Sequence, residues 1–135
     1  GISSIHTLIG GSLGGQQVLE WAIQEPDVFE HIIPIATNAQ HSPWGIAFNE
    51  AQRMAIEADR TWQNSDYLAG AEGLKAARAI GMLSYRTYDT YHKTQSEASA
   101  EVAKNFRAST YQRYQGEKLL KRFNAFAYYT LTKMM

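Results

Sequence analysis

The stretch Gly10-Gly11-Ser12-Leu13-Gly14 lies between an apolar run, Thr7-Leu8-Ile9, and a helical pattern that starts at Gln16. No other segment constrains the fold as strongly. A G-x-S-x-G at a strand-to-helix junction sets its serine on a tight turn, with Oγ exposed above a sheet and the next backbone N–H turned toward a developing oxyanion. Ser12 is therefore the candidate for covalent chemistry. Gly10 and Gly14 are expected where a side chain would collide with the turn, and Gly15 where the new helix lies close against the sheet. The other glycine-rich devices do not fit. A phosphate loop needs Lys then Ser or Thr after its last glycine, but Gln16-Gln17 follow Gly15. A dinucleotide fingerprint needs G-x-G-x-x-G, a spacing these glycines do not supply.

Ile5 to Ile9 reads as a short buried strand. Val18, Leu19, Ala22 and Ile23 recur on one helical face, so Gln16 to Glu25 is the expected elbow helix, stopped by Pro26. Ile32 to Ala36 reads as a second strand, closing a right-handed β-α-β unit, with an irregular position expected at Pro34 because proline cannot donate to a ladder. From Ser42 onward the pattern is helical. Ser42-Pro43 predicts an N-cap and first position for a helix to about Asp59. A second helix is expected over Ala71 to Tyr85, with Leu74, Ala77, Ile80 and Leu83 on one side. A third is expected from a Thr94/Glu97 capping box to Tyr114, closed by Gly116, and a fourth over Lys118 to Leu131. The expected class is α/β: residues 1–41 as part of a sheet domain with the elbow, and 42–135 as a helical lid or cap region.

Composition narrows the functional classes. With 135 residues, 44% hydrophobic and 19% charged, the chain can bury a core. Thirteen basic residues balance thirteen acidic ones, so neither nucleic acid nor an anionic membrane is an expected partner. The absence of cysteine excludes a disulfide framework and a thiolate nucleophile, and fits a reducing, cytoplasmic setting. No apolar run approaches the ~20 residues of a membrane span. The chain opens on Gly1 and shows two strands where a hydrolase sheet places several before its elbow, so a fragment of a longer protein is expected.

Many ordered segments resemble one family, the homoserine O-acyltransferases of the α/β-hydrolase superfamily, chiefly the acetyltransferases of the methionine pathway. They are Gly10 to Gln16 with Leu19-Glu20-Trp21, Ala36-Thr37 with Ser42-Pro43-Trp44, and Ile46 to Glu50. Further matches are Arg53 to Ile56 with Asp59 and Trp62, Asp66-Tyr67, Gly73 to Arg78, Ser84-Tyr85-Arg86, Tyr111 to Gly116, and Arg122-Phe123. The resemblance covers essentially the whole chain. It implies ping-pong transfer of an acetyl group from acetyl-CoA to L-homoserine, with acetyl-CoA as a substrate and no bound cofactor or metal. Ser12 would be the nucleophile and Leu13 would contribute one oxyanion-hole N–H. Arg78 and Tyr85 would hold the amino-acid acceptor. Their seven-residue spacing is close to two helical turns, with a drift of about 20°, so both can face one pocket. The resemblance also implies a homodimer through the helical region, and a catalytic aspartate and histidine beyond Met135. Asn124 replaces the aspartate the family commonly carries after Arg-Phe, which bears on a local ion pair.

His6, His31, His41 and His92 are read as structural, His41 being the one that follows a strand on the side where active sites lie. None has metal-ligand spacing on one helix face. Arg86, Arg107 and Arg113 are expected to pair with carboxylates on solvated faces, and the tyrosines at 85, 88, 91, 111, 114, 128 and 129 to pack between helices with polar tips. Two other readings stand beside acetyl transfer. One keeps the elbow but serves serine acylation, succinyl transfer or ester hydrolysis. The other makes the 135-residue chain a catalytically silent helical interaction module.

Overall fold

The structure is a computed structural model that describes residues 1–99 and 104–135. The chain divides into two units, Gly1–Pro43 with Met134–Met135, and Trp44–Lys133. In the first, strand β1 (Ile5–Gly11), helix α1 (Leu13–Gln24) and strand β2 (Phe29–Ile35) follow in order. The strands pair in parallel, from Ile5 opposite Phe29 to Gly11 opposite Ile35. A parallel pair needs a crossover, and α1 supplies it. Pro34 sits within β2 opposite Gly10 without ending the strand. Among the described residues the sheet has two strands.

The strands are less buried than their apolar sequences predict. Ile9, Ile32, Ile33 and Ile35 are all exposed, because one helix can cover only one face of a sheet that normally needs both covered. Ile23, expected on the inner face of α1, is 75% exposed, whereas Val18 is buried. Trp21 meets Phe29 edge-on, with ring centroids 5.3 Å apart.

The second unit is helical. Helix α2 (Pro43–Glu57) starts at the proline read as its first position, and α3 (Ala71–Ser84) matches its predicted span to one residue. The rest departs from expectation. Helix α4 (Tyr88–Gln95) occupies sequence mostly between the second and third expected helices, and His92 lies inside it. Its N-cap is Thr87, whose hydroxyl accepts from the Thr90 N–H. Thr94 therefore ends a helix rather than opening one, and Glu97 instead accepts from the Arg107 N–H at the start of α5 (Arg107–Leu120). The part of the expected third helix over residues 100–103 lies outside the described residues.

Gly116 does not close a helix either. It is buried within α5, where an added Cβ would stand 2.9 Å from Lys75 Cβ on α3. The helices meet there closely enough to exclude a side chain. The expected fourth helix is broken at residues 121–124, and α6 (Ala125–Lys133) starts afresh after Asn124. The Asn124 Oδ1 accepts from the Ala127 N–H at 2.8 Å, which makes it an N-cap. An aspartate there would cap about equally well.

Ile56, Leu74, Ala77, Leu119 and Ala125 form the core of this unit. Leu83, expected to join them, is 53% exposed. Gly73 lets α3 press onto α2, since its Cβ would lie 2.6 Å from the Ala55 oxygen and the Ile56 Cα. The turn between the two helices is organised by Asp59. Its carboxylate accepts from the Thr61 N–H at 2.8 Å and the Gly73 N–H at 2.9 Å, and these backbone donors hold it below the usual carboxylate range. Trp62 stacks on Phe126 of α6, with centroids 4.8 Å apart. Two of the residues that carried the family resemblance, Asp59 and Trp62, are thus explained by packing.

Among the described residues, Arg86 and Arg107 are not paired with carboxylates. Arg86 lies over the Tyr111 ring at 5.1 Å, and the Arg107 guanidinium donates to the Ser96 carbonyl at 3.1 Å. The ion pairs among the described residues are Arg53–Glu50, Lys75–Glu72 and Lys75–Glu117. The tyrosines divide: Tyr91 and Tyr111 meet edge-on and Tyr129 packs on Trp62, whereas Tyr85, Tyr88 and Tyr114 are exposed. No helix among the described residues is long and apolar enough to cross a membrane.

Candidate active site

Ser12 joins β1 to α1 with φ 54° and ψ −121°, a backbone conformation that L side chains rarely adopt. Such a residue costs on the order of 1–3 kcal/mol and persists only where its surroundings hold it. Here they do. The Ser12 N–H donates to the Ile35 carbonyl at 2.9 Å, at the end of β2. The Ser12 carbonyl accepts from Gly15 N at 2.9 Å, Gln16 N at 3.2 Å and the Thr37 hydroxyl at 2.8 Å. Four hydrogen bonds from two directions fix the peptides on either side of the serine, and the residue itself is exposed. Ala36 also takes a positive φ, 47°, and turns the chain between Ile35 and Thr37, both of which hold the Ser12 backbone.

The glycines have unequal roles. A Cβ at Gly10 would lie 2.2 Å from the Gly14 carbonyl oxygen and 2.9 Å from Val18 Cγ2, so the turn folds back onto the strand only because residue 10 has no side chain. A Cβ at Gly15 would lie 2.6 Å from Thr37 Cβ, as close approach of helix and strand end predicts. Gly14 is different: nothing described lies within 4 Å of a Cβ there, which corrects the expectation of a collision. The 14 position is the second residue of α1, and a Cβ there would meet open space.

Leu13 is the first residue of α1. The first N–H groups of a helix lack intrahelical acceptors and carry the positive end of its dipole, so this end of α1 favours negative charge beside Ser12. Gln16 Nε2 donates to Asn38 Oδ1 at 3.2 Å, and Gln16 Oε1 is buried without a hydrogen-bond partner among the described residues. Sequence reasoning singled out neither Thr37 nor Asn38 as part of the elbow. Their part in the elbow follows from their place just after β2, because the parallel register carries that strand's end to Ser12.

Arg78 on α3 and Tyr85 at its C-cap come together, with the guanidinium carbon 5.3 Å from the centre of the Tyr85 ring. The Arg78 Nε is buried without a hydrogen-bond partner among the described residues, and Tyr85 is 63% exposed. A second polar group borders the same helix face. Tyr128 of α6 donates to Gln52 Oε1 of α2, and burial pushes the Tyr128 phenol up to about 12, with Tyr85 adding to the rise and Arg78 opposing it. Ser12 and Leu13 belong to the first unit, and Arg78 and Tyr85 to the second.

Helix spacing predicts no metal ligands, but the cross-strand register brings together three possible ones at the beginnings of the strands. His6, Glu30 and His31 have ligand atoms within 4.8 Å of one another. All three are exposed, and His6 Nδ1 is engaged with the Thr7 hydroxyl at 2.7 Å. They stand at the opposite end of β1 from Ser12.

An elbow serine in a forced conformation, set between a parallel strand pair and the start of the crossover helix, defines a class of protein. The family described as the alpha/beta hydrolase fold matches over residues 1–134, and the chain belongs to it. Within that family the chain is 53% identical over 135 residues to a homoserine O-acetyltransferase of Cyclobacterium marinum, covering all of this chain and 38% of the relative. It therefore spans well under half the length of the curated relatives it matches. The crystal structure of a homoserine O-acetyltransferase from Bacillus anthracis superposes with a TM-score of 0.86 at 19% identity, over 98% of this chain and 38% of that one. An esterase structure superposes with a TM-score of 0.84 at 21% identity, over 98% and 39%. At those identities both structures speak to the fold alone.

Proposed function

We propose that the chain forms the elbow and acceptor-binding part of a homoserine O-acetyltransferase. The observation that carries this reading is the forced elbow at Ser12, in a chain 53% identical to a relative of that name. In the proposed reaction Ser12 Oγ attacks the thioester carbonyl of acetyl-CoA. The C–S bond breaks, CoA leaves as the thiol with the proton taken from Ser12, and an acetyl-enzyme remains. The Leu13 N–H at the head of α1 stabilises the tetrahedral oxyanion. The homoserine hydroxyl then attacks the acetyl carbon, and Ser12 recovers a proton. The base and the carboxylate that orients it are assigned to regions the curated relatives have outside the span of this chain.

Arg78 and Tyr85 are assigned to the acceptor. A buried guanidinium Nε without a hydrogen-bond partner among the described residues suits an amino-acid carboxylate, because a charged fork and a carboxylate satisfy one another's hydrogen bonds. Methionine biosynthesis in the cytoplasm, by a homodimer, completes the reading and follows from the family resemblance.

Acyl-enzyme mass tests it. The full-length protein incubated with acetyl-CoA should gain an acetyl group on Ser12, and Ser12→Ala should gain none. Arg78→Ala should form the acyl-enzyme normally but use homoserine poorly. Acylation by succinyl-CoA instead, or transfer to serine or water, would replace the donor or acceptor while keeping the elbow chemistry.

A further inference from the structure

Gly81 lies on α3 three residues after Arg78 and four before Tyr85, on the face those residues share. A Cβ there would push two polar groups aside, since it would stand 2.9 Å from Gln52 Oε1 and 3.5 Å from the Tyr128 hydroxyl. The glycine therefore admits a polar pair, contributed by α2 and α6, to the stretch of α3 between Arg78 and Tyr85.

That pair has a direction. Gln52 Nε2 donates to the Phe48 carbonyl at 2.9 Å and to Asn49 Oδ1 at 3.4 Å, which leaves Gln52 Oε1 as the acceptor for the Tyr128 O–H. Gln52 is 5% exposed, so its amide is worth burying only with these partners in place. With its proton spent on Gln52, the Tyr128 oxygen keeps its lone pairs, the negative end of the dipole, for neighbours. Burial holds the phenol neutral, and both Arg78 and Tyr85 act on it electrostatically.

We propose that Gln52 and Tyr128 are positioning residues of the acceptor site, presenting a neutral hydroxyl dipole that keeps the Arg78 guanidinium aimed at the acceptor's carboxylate. This rests on the assignment of Arg78 and Tyr85 to acceptor binding. The Gln52–Tyr128 pair acts through Arg78 and does not touch the reacting atoms.

Tyr128→Phe in the full-length protein removes one oxygen and tests the idea. The KM for homoserine should rise about tenfold, the scale of one lost hydrogen bond, while acetyl-enzyme formation from acetyl-CoA without acceptor stays unchanged. The double variant Gln52→Leu/Tyr128→Phe should raise KM no further than the worse single variant, since both act through one device. If Gln52→Leu does not fold, the Tyr128→Phe measurement decides alone. An unchanged homoserine KM in Tyr128→Phe, with a raised KM in Arg78→Ala, overturns the positioning role and leaves the acceptor assignment standing. Equal losses in both half-reactions overturn it in favour of a purely structural role. Normal homoserine use by Arg78→Ala removes the underlying assignment instead.

Discussion

The Thr37 hydroxyl donates to the Ser12 carbonyl oxygen at 2.8 Å across 25 residues of chain. It is the one side-chain donor among the hydrogen bonds described for the Ser12 backbone, and it ties the elbow to the residue that follows β2. Thr37→Val keeps the shape and removes the donor. It should lower stability by about 1 kcal/mol and slow acyl-enzyme formation, whereas Thr37→Ser restores both. Chemical denaturation and the acylation rate of the full-length protein check this, and a Thr37→Val variant matching wild type in both would show the clamp to be idle.

Gly10 and Gly14 flank the same serine and should respond oppositely to alanine. Gly10→Ala drives a methyl into the Gly14 carbonyl, an overpacking that costs about 1–3 kcal/mol or more. Gly14→Ala meets nothing described within 4 Å, and alanine suits a helix better than glycine by roughly 0.5–1 kcal/mol, so it should match or exceed wild-type stability. Thermal melts of the two variants separate them, and equal destabilisation would contradict the geometry.

Asn124 caps α6 through its side-chain oxygen. Asn124→Asp should leave stability near wild type at neutral pH, and Asn124→Ala should cost about 1 kcal/mol. Denaturation midpoints decide. A large gain with aspartate would reinstate an ion pair at this position.

Asp59 has its pKa lowered in the folded state, chiefly by the Thr61 and Gly73 backbone N–H groups. A lowered folded pKa means that its stabilising effect is fully present above the unfolded carboxylate value and is lost as pH falls through the folded one. Stability should therefore decline below about pH 4, and Asp59→Asn should show a shallower acid limb together with a lower plateau at neutral pH. Unfolding free energy measured from pH 7 down to pH 2 tests the sign, and an unchanged acid limb in the variant would rule it out.

The elbow was legible in the residues because its requirements are local. A serine between glycines, after an apolar run and before a helical period, determines the turn within a few bonds. The starts of α2 and α3 were legible for the same reason, through Ser42-Pro43 and the spacing of Leu74 and Ala77. The later helices were misread because Thr94/Glu97 imitates a capping box, while the true caps, Thr87 and Asn124, are equally short-range but do not precede an obvious apolar stripe. Gly116 shows the limit most clearly: a helix-ending glycine and a helix-crossing glycine look alike until Lys75 is seen against it.

By itself, then, the sequence determined the strand-turn-helix with Ser12 at its tip, the α/β class and the position of Arg78 two turns from Tyr85. Only the tertiary structure decided what holds those groups. Thr37 reaches Ser12 through the parallel register, and Gln52 and Tyr128 reach the Arg78 face of α3 through the gap at Gly81. Such contacts join residues 25 to 76 positions apart, and a local pattern carries no information about which distant side chain will fill the space a glycine leaves.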